Sequence, residues 1–66
     1  MHRYVVLTDR MRGFDSLEEA KTFAPLSLPA VICERQRIES EWQLIEILRY
    51  NWNYDFDRKE WRVMLA

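Results

Sequence analysis

Phe14–Pro25 reads FDSLEEAKTFAP, and it carries the clearest structural signal in the chain. Asp15 suits a helix N-cap, with Glu18 three residues on completing a capping-box pattern; Ser16 and Glu19 repeat that pattern one step later. Glu18 and Glu19 fall in the first turn, where negative charge complements the helix dipole. Leu17, Ala20, Phe23 and Ala24 share one face. Pro25 closes the element, because the residue before a proline avoids the α region. The spacing predicts a helix over Ser16–Ala24.

Outward from this helix, the chain reads as strands. His2–Thr8, HRYVVLT, is rich in β-branched and aromatic residues. Val5 and Leu7 fall on one side, Tyr4 and Val6 on the other. Apolar residues on both sides predict a central strand or one covered by a helix. Asp9–Gly13, DRMRG, reads as a turn in which Gly13, the only glycine, takes a positive φ. Pro25–Pro29 is a connector. Ala30–Arg35, AVICER, is the next strand, with Val31 and Cys33 on one face and Ile32 on the other.

Ser40–Arg49 is ambiguous. Ser40 with Gln43 makes another capping-box pattern, and Leu44, Ile45 and Leu48 share a helical face near Trp42. The Trp, Ile, Ile and Tyr content favours a strand instead. A helix is the reading adopted. From Tyr50 to Asp57 aromatic and polar residues alternate without a break, the period a half-buried strand needs. Asp57–Glu60, DRKE, suits a four-residue hairpin loop, and Trp61–Leu65 returns as the antiparallel partner. A short C-terminal helix with Trp61, Met64 and Leu65 on one side is the competing reading. The hairpin is preferred because the preceding strand needs a neighbour for its backbone. The expected fold is α+β. One helix packs on an antiparallel sheet of three or four strands, with a second short helix at Ser40–Arg49.

The chain has 66 residues, the size of one domain, and a net charge of -1. Its hydrophobic fraction of 48% excludes a disordered chain. No apolar run approaches the ~18 residues of a membrane span. Val5-Val6-Leu7 is too short for a signal-peptide core, so the expected location is the cytoplasm. A single cysteine rules out an internal disulfide. At this length hydrophobic burial barely offsets chain ordering, so dense aromatic packing or a partner surface must add stability.

Catalysis fails on inventory. His2 is the only histidine, placed at a frayed terminus, which makes a Cys–His pair improbable. Cys33 reads as a small buried residue. Asp55 and Asp57 share a strand face that reads as solvated. Gly13 alone builds no phosphate-cradling loop. No metal or other cofactor is expected. The aromatic row Tyr50, Trp52, Tyr54, Phe56 has two readings. It forms the core face of the sheet under the helix, or it leaves Trp52, Tyr54 and Trp61 exposed to anchor a partner. Arginine outnumbers lysine eight to two. Arg10, Arg12 and Arg58 are the candidate polar contacts, and Arg3 with Arg10 and Arg12 makes a candidate basic patch. Interleaved rings and arginines also suit single-stranded nucleic acid, but Glu39, Glu41, Asp55 and Asp57 would repel phosphate. The acidic excess is too small to imitate DNA.

The run YVVLTDRMRGFDSLEEAKTFA followed by AVICER resembles small proteins encoded by bacteriophages and mobile elements, among them host-takeover inhibitors and anti-CRISPR proteins. The resemblance spans Tyr4–Arg35 and implies a single-domain, non-enzymatic inhibitor that occupies a surface of a larger host protein complex. It assigns no contact residues. The sequence-level expectation is therefore a protein-binding module. A nucleic-acid-binding accessory protein and a homo-oligomeric structural subunit are the alternatives.

Overall fold

The computed structural model describes residues 1–65. Its elements are β1 (Tyr4–Leu7), β2 (Met11–Phe14), α1 (Leu17–Phe23), a 3-10 turn at Ala24–Leu26, β3 (Ala30–Ile38), β4 (Glu41–Asp55) and β5 (Glu60–Leu65). The five strands form one antiparallel sheet in the order β2-β1-β3-β4-β5. The helix-on-sheet class is as expected, and the sheet is larger than three or four strands.

α1 begins where the capping pattern placed it. Ser16 is the N-cap, and its Oγ accepts from the N–H of Glu19 at 3.2 Å. Ala20 and Ala24 are fully buried. They meet Val6, Ala30 and Ile32 from the sheet, and Tyr4, Phe14, Leu17, Phe23, Leu28, Leu48 and Tyr50 pack around them. Small alanines bring the helix close to the strands, and the larger rings close the sides. β1 lies between β2 and β3, and α1 covers the face that carries Tyr4 and Val6.

The stretch read as a turn over Asp9–Gly13 is shorter than that. Thr8–Arg10 makes the turn, with the N–H of Arg10 donating to Thr8 Oγ1 at 3.1 Å, and Met11–Phe14 is a strand. Gly13 does not have a positive φ. Its lack of a side chain serves a close approach instead. A Cβ at Gly13 would lie 2.6 Å from His2 Cγ and 2.8 Å from His2 Cβ. Nor is His2 loose: its Nδ1 lies 2.8 Å from Asp15 Oδ1, and its carbonyl accepts from Arg35 Nε at 2.9 Å.

The helix expected at Ser40–Arg49 is absent; Glu41–Arg49 belongs to β3's hairpin partner β4, and Ser40 lies in the turn before it. Glu39 and Ser40 both take positive φ, 51° and 68°, and form the two-residue turn between Ile38 and Glu41. Ser40 is thus in the left-handed region, not in the extended conformation an N-cap adopts. β3 also runs on to Ile38, three residues beyond Arg35. The second hairpin exists as expected, one residue earlier. Asp55 faces Glu60, so its loop is Phe56–Lys59, with Lys59 at φ 56°. Asp57 therefore sits in the loop and does not share a strand face with Asp55.

β4 is the long member of the fold. Fifteen residues at about 3.4 Å each span roughly 50 Å, against about 10 Å for a seven-residue helix. Glu41–Tyr50 pairs with β3, and Tyr50–Asp55 pairs with β5. Beyond Tyr50 the sheet is a two-stranded arm, and the molecule measures 48 × 20 × 19 Å.

Candidate functional site

The arm is two-faced. Regular pairing of Trp52 with Val63 and of Tyr54 with Trp61 places four apolar side chains on one side. Asn53 with Arg62 and Asp55 with Glu60 occupy the other. Tyr50, on the same side as Trp52 and Tyr54, packs against the core under α1. The aromatic row is thus the core face continued past the end of the helix, where none of the described residues covers Trp52, Phe56 or Trp61 fully. Trp52 is 53% exposed, Trp61 66% and Phe56 82%. The rings divide by exposure. Tyr50 is core, Tyr54 is half-buried, and Trp52, Phe56 and Trp61 are open to solvent.

At the tip the rings hold each other. Tyr54 meets Phe56 edge-on at 5.0 Å and Trp61 edge-on at 5.4 Å. Such pairs contribute about 0.5–1.5 kcal/mol beyond burial. Asp55 organises the loop: its Oδ1 accepts from the N–H of Asp57 at 3.0 Å and of Arg58 at 3.1 Å. Arg62 Nη1 stands 3.5 Å from Oδ2. The Arg58 N–H above all, then the Asp57 N–H and Arg62, hold this carboxyl below the usual aspartate range, against partial burial that pushes the other way.

The β4 edge of the arm has no β3 neighbour, yet its donors are engaged. Asn51 Oδ1 accepts from the N–H of Trp52 at 2.8 Å, and Asn53 Oδ1 from the N–H of Tyr54 at 2.9 Å. An N–H already engaged is not free to receive an added strand, so the arm is blunted for edge pairing and open for face contact. The asparagines between the rings were the signal for this in the sequence.

The candidate residues do not converge. Trp52, Tyr54 and Trp61 lie together on the arm, and Arg58 lies in its loop. Arg12 belongs to the body: its guanidinium stacks 4.9 Å from the Phe23 ring and 5.4 Å from Phe14, which are themselves 5.2 Å apart. It caps the core cluster, a packing role worth about 0.5–1 kcal/mol. Arg10 is in the β1–β2 turn. Arg3, at the other end of β1, is 3.0 Å from Glu34 Oε2 and lies over Tyr4. The Gln36 side-chain N–H, followed by Arg3, lowers the Glu34 pKa. The expected basic patch of Arg3, Arg10 and Arg12 does not form.

On the sheet's other face Cys33 is buried. Burial first, and the Glu46 carboxylate second, push its thiol pKa up, with Arg49 opposing. At the elbow between body and arm, a cleft of about 770 Å³ is lined by Leu7, Thr8, Leu28, Pro29, Arg49 and Tyr50 among others. Asp9 and Ser27 also line it, and the Thr8 hydroxyl donates to Asp9 Oδ1 at 3.1 Å. Among the described residues no group of three or more His, Cys, Asp or Glu is placed to hold a metal ion. No helix among the described residues is long and apolar enough to cross a membrane. Comparison with protein-family models, curated proteins and solved structures found no match to the chain.

Proposed function

We propose that the protein is a small non-enzymatic binding module that inhibits or adapts a larger cytoplasmic protein complex by laying the aromatic face of its β4–β5 arm on it. The mode of action is that of the phage and mobile-element inhibitors it resembles: occupancy of a surface, with no bond made or broken. One observation carries this reading: Trp52, Phe56 and Trp61 stand uncovered on a projecting ribbon whose opposite face is polar. Exposed tryptophans flanked by arginine are the composition of binding hot spots, and Arg58 in the loop supplies the polar rim. Arg10 and Arg12 lie outside this face and are left out of it.

The test separates folding from capture. Trp52→Ala and Trp61→Ala are made singly, far-UV circular dichroism reports the fold, and affinity capture from host lysate reports the partner. Retained fold with lost capture is the expected result. Loss of the fold in both variants would make the rings core and sink the reading. Binding of oligonucleotides that weakens steeply with salt would move the assignment to nucleic acid.

A further inference from the structure

We infer that, without a partner, two copies of the chain pair through the aromatic faces of their β4–β5 arms. The inference rests on that face being a docking surface, as proposed above, and differs in what fills it. Area is the first argument. A folded monomer of 8.1 kDa exposes about 4,500 Å² on average. This chain exposes 5167 Å². The surplus, roughly 700 Å², is close to the ~800 Å² that each partner contributes to a standard interface. Shape places the surplus. The radius of gyration is 13.6 Å, where a compact chain of this length has about 10.8 Å, and the excess length is the arm.

Charge is the second argument. Between Tyr50 and Val63 the arm carries Arg58, Lys59 and Arg62 against Asp55, Asp57 and Glu60, three against three. A twofold interface sets a surface against itself, so a face with a charge excess would repel its own copy. Here Asp55, Glu60 and Arg62 lie on the opposite side of the ribbon, so the strands bring no charge to the aromatic face that would repel its copy or draw a strongly acidic or basic partner. A third argument is need. A lone two-stranded hairpin is marginal in water, and a second copy supplies the missing apolar cover. Because Asn51 and Asn53 occupy backbone donors of the β4 edge, the contact is face to face and not strand to strand. Partner capture then draws on the monomer, and the dimer is the resting form.

Sedimentation velocity of the purified chain, from low micromolar to near-millimolar concentration, tests this. The expected result is a rise from 8.1 kDa to twice that mass. Trp61→Glu should weaken pairing by ~30-fold or more, the effect of losing a hot spot. Should that variant fail to fold, Phe56→Ser decides, since Phe56 is 82% exposed in the loop and outside the core. It too should weaken pairing. A wild-type chain that stays monomeric overturns the inference, as does a dimer that both variants leave intact, which puts the contact elsewhere. A monomeric chain that still captures a partner through Trp52 and Trp61 leaves the proposed function standing without the dimer.

Discussion

Replacing Trp61 by alanine should loosen the arm and leave the body folded. Trp61 is 66% exposed, so about a third of the ring is shielded. For a side chain of about 220 Å² that is roughly 75 Å², or ~2 kcal/mol at about 25 cal/mol per Å². The edge-on contact with Tyr54 adds up to about 1 kcal/mol. A loss of about 2–3 kcal/mol corresponds to a roughly 30- to 150-fold drop in protection. Native-state hydrogen exchange reads this residue by residue. The amides of Asn53, Asp55, Arg62 and Val63 should lose that factor, while Val6 and Ile32 in the body keep theirs. Ile32→Ala is the reverse control. Ile32 is fully buried, and its truncation should cost about 2–5 kcal/mol across the whole molecule. If Trp61→Ala strips Val6 and Ile32 as much as it strips the arm, body and arm are one cooperative unit. The separation of docking face from core would then be wrong.

Acid should act on the arm through Asp55. The Asp55 carboxyl has a lowered pKa in the fold, so the stability it gives is complete above the ordinary aspartate range and is lost as pH falls through the lower folded value. The Arg58 amide, followed by NMR, should report this loss, and Asp55→Asn should abolish the pH response. Ser16→Ala removes the cap of α1 and should cost about 1 kcal/mol, seen as a melting temperature lower by about 4–8 °C. Cys33 should react slowly with thiol reagents in the native protein and rapidly in denaturant, because the buried thiol resists forming thiolate. Fast native labelling would contradict its placement.

The helix was legible because its signals are local: a capping serine, two glutamates and a terminating proline within ten residues. The hairpin of β4 and β5 was legible because its aromatic alternation is unbroken. Ser40–Arg49 misled for a physical reason. Ile32 pairs with Leu48 and Cys33 with Glu46, so Ile47 is an extra residue, a bulge in β4. The bulge adds one to the period of two, and Ile45 and Leu48 reach the same sheet face at a spacing of three, which is helical spacing. Met11–Phe14 was missed because a four-residue edge strand with two exposed residues carries little pattern. That Trp52, Tyr54 and Trp61 share a face follows from strand alternation alone. The arginines do not, because what Arg12 stacks on is set by the distant Phe23.

β4 joins body to arm as one strand, bulged at Ile47 but continuous from Leu48 into the arm. From Glu41 to Asp55 it holds neither glycine nor proline, so there is no built-in hinge between the tryptophans and the platform that seats the helix. A molecule gripping the tip therefore also aims the rest of the protein, like a hand on a lever. The bulk around α1 is then held at a fixed angle over neighbouring territory, and could shield ground the rings never touch.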